Sequence, residues 1–265
     1  MISLKDIHVT FGANTPLETH ALRGLNLEIN EGEFVTVIGS NGAGKSSLLN
    51  AISGEIRVTK GRIEIDQKDV TRLDTSRRAG MVARVFQDPL GGSCEFLSIE
   101  ENLALADARG RKRGFKSALN DERKQPYREY LSRLNLGLEN RLEDKMGLLS
   151  GGQRQAISLL MATLQPSKIL LLDEHTAALD PKTSQFVLEL TNQIIQEKQC
   201  TALMVTHSMK QALEVGTRTI MLHQGNIIFD IQGDDRNGLT VKDLLDLFSK
   251  TQGGEQLDDD ALLLG

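Results

Sequence analysis

Gly39-Ser40-Asn41-Gly42-Ala43-Gly44-Lys45-Ser46-Ser47 is a glycine-rich segment that follows the apolar run Phe34-Val35-Thr36-Val37-Ile38. A second apolar stretch begins at Leu48, so the pattern predicts a buried strand, a tight loop and a helix. Glycines let successive backbone N–H groups turn inward, and the first turn of the helix adds the positive end of its dipole. This arrangement predicts a cradle for phosphate groups.

Two side chains at the end of this segment suit a nucleoside triphosphate. Lys45 can reach the β- and γ-phosphates, and Ser46 can supply a hydroxyl to Mg²⁺. An ordinary glycine-rich turn is the alternative interpretation, but the strand before the loop and the helix after it favour phosphate binding. We therefore expect Gly39 to Ser47 to bind a nucleoside triphosphate.

The composition describes a globular protein with ample length for a core. The 265 residues are 39% hydrophobic and 25% charged, which allows one large domain or one core with an inserted subdomain. Lys and Arg number 31 against 36 Asp and Glu, and this net charge of −5 argues against nucleic acid as the partner. Cys94 and Cys200 form no Cys-x-x-Cys pair, which indicates a reducing compartment.

The sequence shows no apolar segment of the length that a bilayer requires. It opens with Met1-Ile2-Ser3-Leu4-Lys5-Asp6, which lacks the pattern of a signal region. Its purest apolar run, Ile169 to Leu172, is far too short to span a membrane. We expect any membrane role to come through a partner.

Strand patterns lie on both sides of the glycine-rich segment. Alternating apolar residues in Ile2–Phe11 and Leu22–Ile29 predict two antiparallel strands. Phe11 has two interpretations, a core aromatic or a ring that stacks on adenine. Further strands are predicted after the loop, at 61–66, 81–86 and 168–172.

The pattern changes to helices from Asp88 to about residue 158. Ser98 and Glu101 have the spacing of a capping box, and residues 127–138 place apolar side chains at helical spacing. These features predict an all-helical insertion within an α/β core. The basic run 109–114 is interpreted as a solvated loop rather than as a patch for an anionic partner.

The carboxyl-terminal part returns to an α/β pattern. An apolar run from Ile169 that ends in Asp173-Glu174 predicts a parallel strand buried on both faces. The other predicted elements are a helix at 181–198, a strand at 202–206 before His207, a helix at 209–215, a hairpin at 219–231, an amphipathic helix at 240–250 and a disordered acidic tail at 253–265.

Leu149-Ser150-Gly151-Gly152-Gln153 is a second glycine-rich helix start, before a helix predicted at 154–164, and by itself it could be an ordinary helix cap. The chain resembles the ATP-binding cassette family in the order of four motifs: the phosphate loop, this pentapeptide, Asp173-Glu174 and Ala178-Leu179-Asp180. The resemblance extends from about Ile2 to Leu222. The resemblance implies an α/β fold: a P-loop NTPase core of mostly parallel sheet, an N-terminal antiparallel β subdomain and an inserted all-helical subdomain at about 88–158. It also implies a single ATPase domain over residues 1–252.

The resemblance implies roles for individual residues in ATP hydrolysis. Asp173 corresponds to the acid that holds Mg²⁺ through water, Glu174 to the general base, and His207 to the switch histidine near the γ-phosphate. Gln87 corresponds to the Gln loop, and Phe11 to the adenine-stacking aromatic. The implied ATP-binding residues are Phe11, Gly39 to Ser47, Ser150, Gly151, Gly152 and Gln153, and the implied Mg²⁺ ligands are Ser46, Gln87 and Asp173. The alternative is structural: a carboxylate could cap the next helix, and a histidine after a strand could belong to the core.

The resemblance also implies partners. Ser150 and Gly152 of one subunit would close over the ATP bound by the other, which predicts a two-fold homodimer with two nucleotides between its subunits. A single cassette fits the energy-coupling subunit of a transporter at the cytoplasmic face of the membrane, with separate permease subunits. An importer would add a solute-binding protein. The alternative is a soluble ATPase that acts as an assembly or scaffold factor without a permease.

Two residues depart from the usual pattern of the family. His175 stands where the family most often has Pro, and Ala177 replaces the Ser that is common before Ala-Leu-Asp. Neither departure removes a catalytic group. Together with Gln87-Asp88-Pro89-Leu90-Gly91-Gly92, they look like bacterial importer ATPases that some lineages associate with small aromatic amino acids.

Overall fold

The computed structural model describes residues 1–111, 119 and 121–251. The strands in this part are β1 (Ile2–Phe11), β2 (Thr19–Ile29), β3 (Phe34–Ile38), β4 (Lys60–Ile65), β5 (Lys68–Asp69), β6 (Val82–Val85), β7 (Ile169–Asp173), β8 (Ala202–Val205), β9 (Arg218–His223) and β10 (Asn226–Gln232). The α-helices are α1 (Lys45–Ser53), α2 (Thr75–Arg78), α3 (Ile99–Asp107), α4 (Asp121–Ser132), α5 (Gly151–Leu164), α6 (Pro181–Lys198), α7 (Met209–Glu214) and α8 (Val241–Thr251). They fall into two compact units, Met1–Arg78 with the chain from Gln199 onward, and Ala79–Lys198.

The first unit contains an antiparallel sheet and a second group of mostly parallel strands. Strands β2, β1, β4 and β5 lie side by side in that order, and all their pairings are antiparallel. Strand β3 pairs in parallel with both β8 and β9, and β10 completes an antiparallel hairpin with β9. Every residue of β3 is buried, as expected for a parallel strand covered on both faces.

The second unit combines two parallel strands with helices. Strand β6 pairs with β7 from Val82 opposite Ile169 to Val85 opposite Leu172. Between residues 88 and 158, the described residues form α3, α4, the start of α5 and short 3-10 turns, without a strand. Ser98 and Glu101 form the predicted capping box at the start of α3. The predicted fold class, a mostly parallel core with an antiparallel β subdomain and a helical insertion, is confirmed.

Two predicted helix boundaries were wrong. Helix α4 occupies Asp121–Ser132 instead of 127–138, because Asn135 and Gly137 adopt the left-handed conformation with φ of 52° and 68° and end the helical path. Helix α5 begins at Gly151 instead of residue 154, because Ser150 caps it and so draws both glycines into the first turn.

The basic run is only partly described. Arg109 donates to the Gln165 carbonyl over 2.7 Å, and Arg111 donates to the Gln165 side chain over 2.9 Å, so both arginines bind the end of α5. The rest of the run, residues 112–114, and the predicted acidic tail at 253–265 lie outside the described residues. Within the described part, none of the helices has both the length and the apolar composition of a membrane span.

Candidate functional site

The phosphate loop, residues 39–47, connects β3 to α1 in the first unit. Gly39 has φ of 151°, and a Cβ there would lie 2.2 Å from the Leu222 carbonyl oxygen. Gly44 has φ of 104°, and a Cβ there would lie 2.5 Å from the Ala21 carbonyl oxygen. Because neither position has room for a side chain, the bare backbone forms the wall of the loop.

The start of α1 presents positive charge. Gly44 occupies the N-cap position and has no side-chain oxygen, so the first-turn N–H groups of α1 can donate to phosphate oxygens. Lys45 is 5% exposed, and its ammonium donates to the carbonyls of Gly39 over 2.6 Å and Ser40 over 3.0 Å. These bonds hold the cation over the loop, and Ser46 beside it is exposed.

His207 lies at the same sheet edge as the phosphate loop. In the parallel pair of β3 and β8, Val37 is opposite Val205. Gly39 and His207 each follow two residues later, so both lie beyond the carboxyl ends of neighbouring strands. His207 is half-buried and immediately precedes Ser208, which caps α7.

Phe11 is the last residue of β1, and its side chain is 46% exposed. The interpretation of Phe11 as a core aromatic was therefore wrong. Stacking on adenine stays a prediction.

The second unit places Gln87, Asp173 and Glu174 together at one sheet edge, which we call the acid edge. Because Val85 is opposite Leu172, Gln87 and Glu174 both lie two residues beyond that pair. Gln87 is exposed, whereas Glu174 is 9% exposed. Glu174 has φ of 42°, a conformation that is uncommon for a residue with a side chain and is often found at functional sites.

Asp173 is held by an arginine that the sequence analysis did not single out. The Arg84 guanidinium donates through Nη2 to Asp173 Oδ2 over 2.5 Å, and the two side chains are 10% and 14% exposed. The same guanidinium lies 4.7 Å above the centre of the Phe86 ring. The available signal was a cation in the middle of the apolar strand 81–86.

His175, the departure from the family pattern, is buried next to Glu174. Its Nε2 lies 2.9 Å from Thr191 Oγ1, and that hydroxyl donates its only proton to the Val187 carbonyl over 2.7 Å. The imidazole must therefore donate to Thr191, which fixes the neutral tautomer with the proton on Nε2. Burial lowers the pKa of His175 from its usual 6.5 to about 4, so the ring is neutral at physiological pH.

The predicted pentapeptide forms the start of α5. The Ser150 hydroxyl accepts from the Gln153 backbone N–H over 3.3 Å, and the Gln153 side chain accepts from the Ser150 N–H over 3.2 Å. Ser150 and Gly151 are exposed. Gly152 is buried, and a Cβ there would lie 2.1 Å from Thr183 Cγ2 in α6, so the glycine permits close packing of the two helices.

The predicted residues thus form two sets. The phosphate loop, His207 and Phe11 belong to the first unit, and the acid edge and the start of α5 belong to the second. The predicted Mg²⁺ ligands offer a hydroxyl from Ser46, an amide from Gln87 and a carboxylate from Asp173. All three are oxygen donors, the type that Mg²⁺ prefers, so the residues present fit this ion.

A bare glycine loop between a buried parallel strand and a helix defines a P-loop nucleotide-binding protein. A family model described as ABC transporter matches residues 22–177, more than half of the chain. The chain belongs to the ABC transporter family. It is an ATP-binding cassette whose activity is ATP hydrolysis coupled to transport.

Known relatives cover nearly the full length of the chain. A tyrosine transport ATP-binding protein of Clostridioides difficile is 44% identical, over 94% of this chain and 98% of the relative. A phosphonates import ATP-binding protein of Haloarcula marismortui is 33% identical, over 98% of this chain and 92% of the relative. Among solved structures, a dimeric ATP-binding cassette in a post-hydrolysis state, bound to ADP and phosphate, is 32% identical, with a TM-score of 0.75 over 88% of this chain and 98% of that chain.

Proposed function

We propose that this chain is the energy-coupling ATPase of an importer with separate permease subunits, and that the solute is tyrosine or a related aromatic amino acid. The observation that carries the proposal is the 44% identity, over 94% of the chain, to a protein named for tyrosine transport. The departures at His175 and Ala177, which resemble those of importer ATPases, point the same way. A solute-binding protein outside the membrane would deliver the solute to the permease.

In this proposal the residues of the first unit bind ATP. The N–H groups of the phosphate loop and the first turn of α1 donate to phosphate oxygens, and Lys45 leaves the Gly39 and Ser40 carbonyls to reach the β- and γ-phosphates. His207 donates to the γ-phosphate, and the exposed ring of Phe11 stacks on adenine.

The acid edge would then carry out hydrolysis. Mg²⁺, held by Ser46, Gln87 and Asp173, would supply positive charge against the phosphate oxygens. Glu174 orients the attacking water in line with the γ-phosphate and accepts its proton. The left-handed φ of 42° at Glu174 ends the extended course of β7 at this residue. The buried hydrogen bond from His175 to Thr191 holds in place the residue that follows Glu174.

A second copy would complete each site. Ser150 lies exposed at the positive end of α5, and Gly152 follows in its first turn, so the Ser150 side chain and the Gly152 backbone would meet the phosphates of an ATP bound by the other subunit. The dimeric state of the related cassette supports this arrangement. ATP then joins the two subunits, and its hydrolysis releases them.

An exposed apolar pair in the second unit suits a permease. Phe96 is 75% exposed and Leu148 is 72% exposed. The segments that carry them are joined by backbone bonds, from Gly147 N to Glu95 O over 2.9 Å and from Met146 N to Leu97 O over 3.0 Å. We propose that a short helix of the permease packs on Phe96 and Leu148, because both are exposed apolar side chains on two hydrogen-bonded segments and exposed apolar surface can mark a protein interface.

Capture from membranes tests the permease part of the proposal. The tagged chain, expressed in its own host and solubilised in mild detergent, is expected to retain a multi-span membrane protein. The double variant Phe96→Ser with Leu148→Ser is expected to lose this partner, whereas Leu17→Ser, at a leucine that is 83% exposed in the first unit, serves as the matched control and retains it. Recovery of cytosolic proteins alone would favour the soluble assembly factor.

Uptake assays test the solute. Deletion of the chain is expected to abolish uptake of labelled tyrosine, and wild type but not Glu174→Gln is expected to restore it. If the deletion leaves tyrosine uptake intact but stops uptake of a phosphonate, the assignment of an aromatic solute is wrong and the assignment as an importer is retained.

A further inference from the structure

Arg84 is placed to act on the predicted magnesium acid. In the β6 and β7 ladder Arg84 is opposite Leu171, and Asp173 lies two residues further along β7. Residues two apart in a strand project to the same face, so Arg84 and Asp173 share one face of the strand pair. The guanidinium reaches along this face to Asp173 Oδ2 over 2.5 Å.

Placing the Arg84 cation in this strand has a desolvation cost. Arg84 interrupts an apolar strand whose neighbours Ala83 and Val85 are both about 1% exposed, and burying a charge requires a compensating partner. Its compensation includes Asp173 and the face of the Phe86 ring. The attraction within a largely buried charged pair is also screened less by water and salt than the attraction within a surface pair.

The same pair changes what Asp173 offers to a metal. One carboxylate oxygen already accepts a charge-assisted hydrogen bond, which is stronger than a neutral one. A divalent cation that approaches Asp173 also meets repulsion from the guanidinium. Both effects lower the affinity of the acid edge for a metal ion that arrives alone.

We propose that Arg84 is a positioning residue that serves as the counter-ion of Asp173 and competes with Mg²⁺ for it. This inference rests on the proposed role of Asp173. In the nucleotide-free protein, Arg84 neutralises the acid and keeps it in place. The metal engages Asp173 only when it arrives bound to the triphosphate, whose negative charge offsets the repulsion. Loading of the acid edge is thereby coupled to ATP.

The competition is measured directly by titrating Mn²⁺ into the nucleotide-free full chain. Binding is detected as the loss of the EPR signal of free Mn²⁺. Arg84→Met keeps a long side chain but removes the charge, and it is expected to tighten Mn²⁺ binding by about tenfold. Arg84→Lys keeps the charge and is expected to stay within about twofold of wild type. The tighter Mn²⁺ binding is expected to be lost in the double variant Arg84→Met with Asp173→Asn, because it depends on the carboxylate of Asp173 that the arginine no longer holds. Phe86→Leu removes the stacked ring but leaves the ion pair, so it is expected to leave Mn²⁺ affinity unchanged.

Unchanged or weaker Mn²⁺ binding by Arg84→Met, with its melting temperature near that of wild type, would overturn the proposal. A melting temperature that falls strongly in Arg84→Met shifts the comparison to Arg84→Gln, for which the same tightening is expected and its absence is equally decisive. The role of Asp173 is checked separately by the Mg²⁺ dependence of ATP binding. If Asp173→Asn reduces that dependence while the Arg84 variants leave Mn²⁺ affinity unchanged, the counter-ion role of Arg84 is wrong and the metal-binding role of Asp173 is retained. If Asp173→Asn has no effect on that dependence, both are wrong.

Discussion

The phosphate loop and the acid edge are built by different means. In the loop, Gly39 and Gly44 bring the backbone against carbonyl oxygens of Leu222 and Ala21, at distances that no side chain allows. At the acid edge, side chains hold side chains: Arg84 binds Asp173, and beside Glu174 the His175 ring binds Thr191. Substitutions in the loop are therefore expected to act through shape, whereas those at the acid edge are expected to act through charge and hydrogen bonding.

The largest effect is expected for Gly44→Ala. A Cβ at this position would lie 2.5 Å from the Ala21 carbonyl oxygen and would hold a left-handed φ of 104°, so the loop must move. ATP affinity, measured by calorimetry, is expected to fall about 100-fold, roughly 3 kcal/mol.

Gly42→Ala is the matched control for this test. Gly42 also has a positive φ, 75°, but an added Cβ would have no atom within 4 Å. Only the cost of the left-handed conformation remains, about 1–2 kcal/mol. Equal losses in the two variants would contradict the claim that close approach of the backbone shapes the loop.

A smaller effect, on stability and not on affinity, is expected from the buried His175. Its folded pKa of about 4 lies below the usual 6.5, so the unfolded chain binds a proton that the folded chain refuses as the pH falls through this range. Above pH 6.5 the group contributes nothing to the pH dependence. At pH 5 it is expected to lower the free energy of unfolding by about 2 kcal/mol relative to pH 7.5.

Urea unfolding at the two pH values checks this expectation. His175→Gln cannot titrate here, yet its amide can still donate to Thr191, so the variant is expected to lose less stability than wild type between pH 7.5 and pH 5. The same loss in both proteins would mean that His175 is not the buried titrating group.

The smallest effect is expected for Phe11→Ala. Unlike the glycines of the loop, Phe11 would serve the ATP site of the first unit through a side chain. Stacking of a base on an aromatic ring contributes about 1–3 kcal/mol, and the exposure of Phe11 at the end of β1 favours the lower end, about 1 kcal/mol of ATP affinity. Fluorescence titration with an adenine nucleotide measures it, and an unchanged affinity would remove the stacking role.

Much of this fold could be predicted because its signals are local. The burial of all five residues in β3 follows from an unbroken apolar run, and the capping box at Ser98 follows from two residues three apart. Helix α4 was misplaced because its end depends on left-handed turns at Asn135 and Gly137, and an asparagine gives only a weak signal for that conformation.

The candidate site was predictable only as far as its motifs. Family order pointed to Asp173 and Glu174, but pairing of β6 with β7 is a contact between residues far apart in the chain, so the bond from Arg84 to Asp173 could not be read from spacing. The same holds for His175. Its departure from proline was visible in the sequence, whereas Thr191, its partner, lies 16 residues further on.

Size-exclusion chromatography of Glu174→Gln, with and without ATP, tests whether Glu174 is the general base and whether two subunits share each ATP site. An amide has nearly the shape of the carboxylate but cannot accept the proton of the attacking water, so hydrolysis is expected to slow by about 100-fold or more. ATP binding persists, because Lys45, Ser46 and the loop N–H groups are unchanged. The variant is therefore expected to elute as a dimer with ATP and as a monomer without it, whereas wild type hydrolyses its ATP and elutes mostly as a monomer. A variant that hydrolyses ATP at the wild-type rate would contradict Glu174 as the general base, and one that is inactive, binds ATP and never dimerises would contradict the site shared between two subunits.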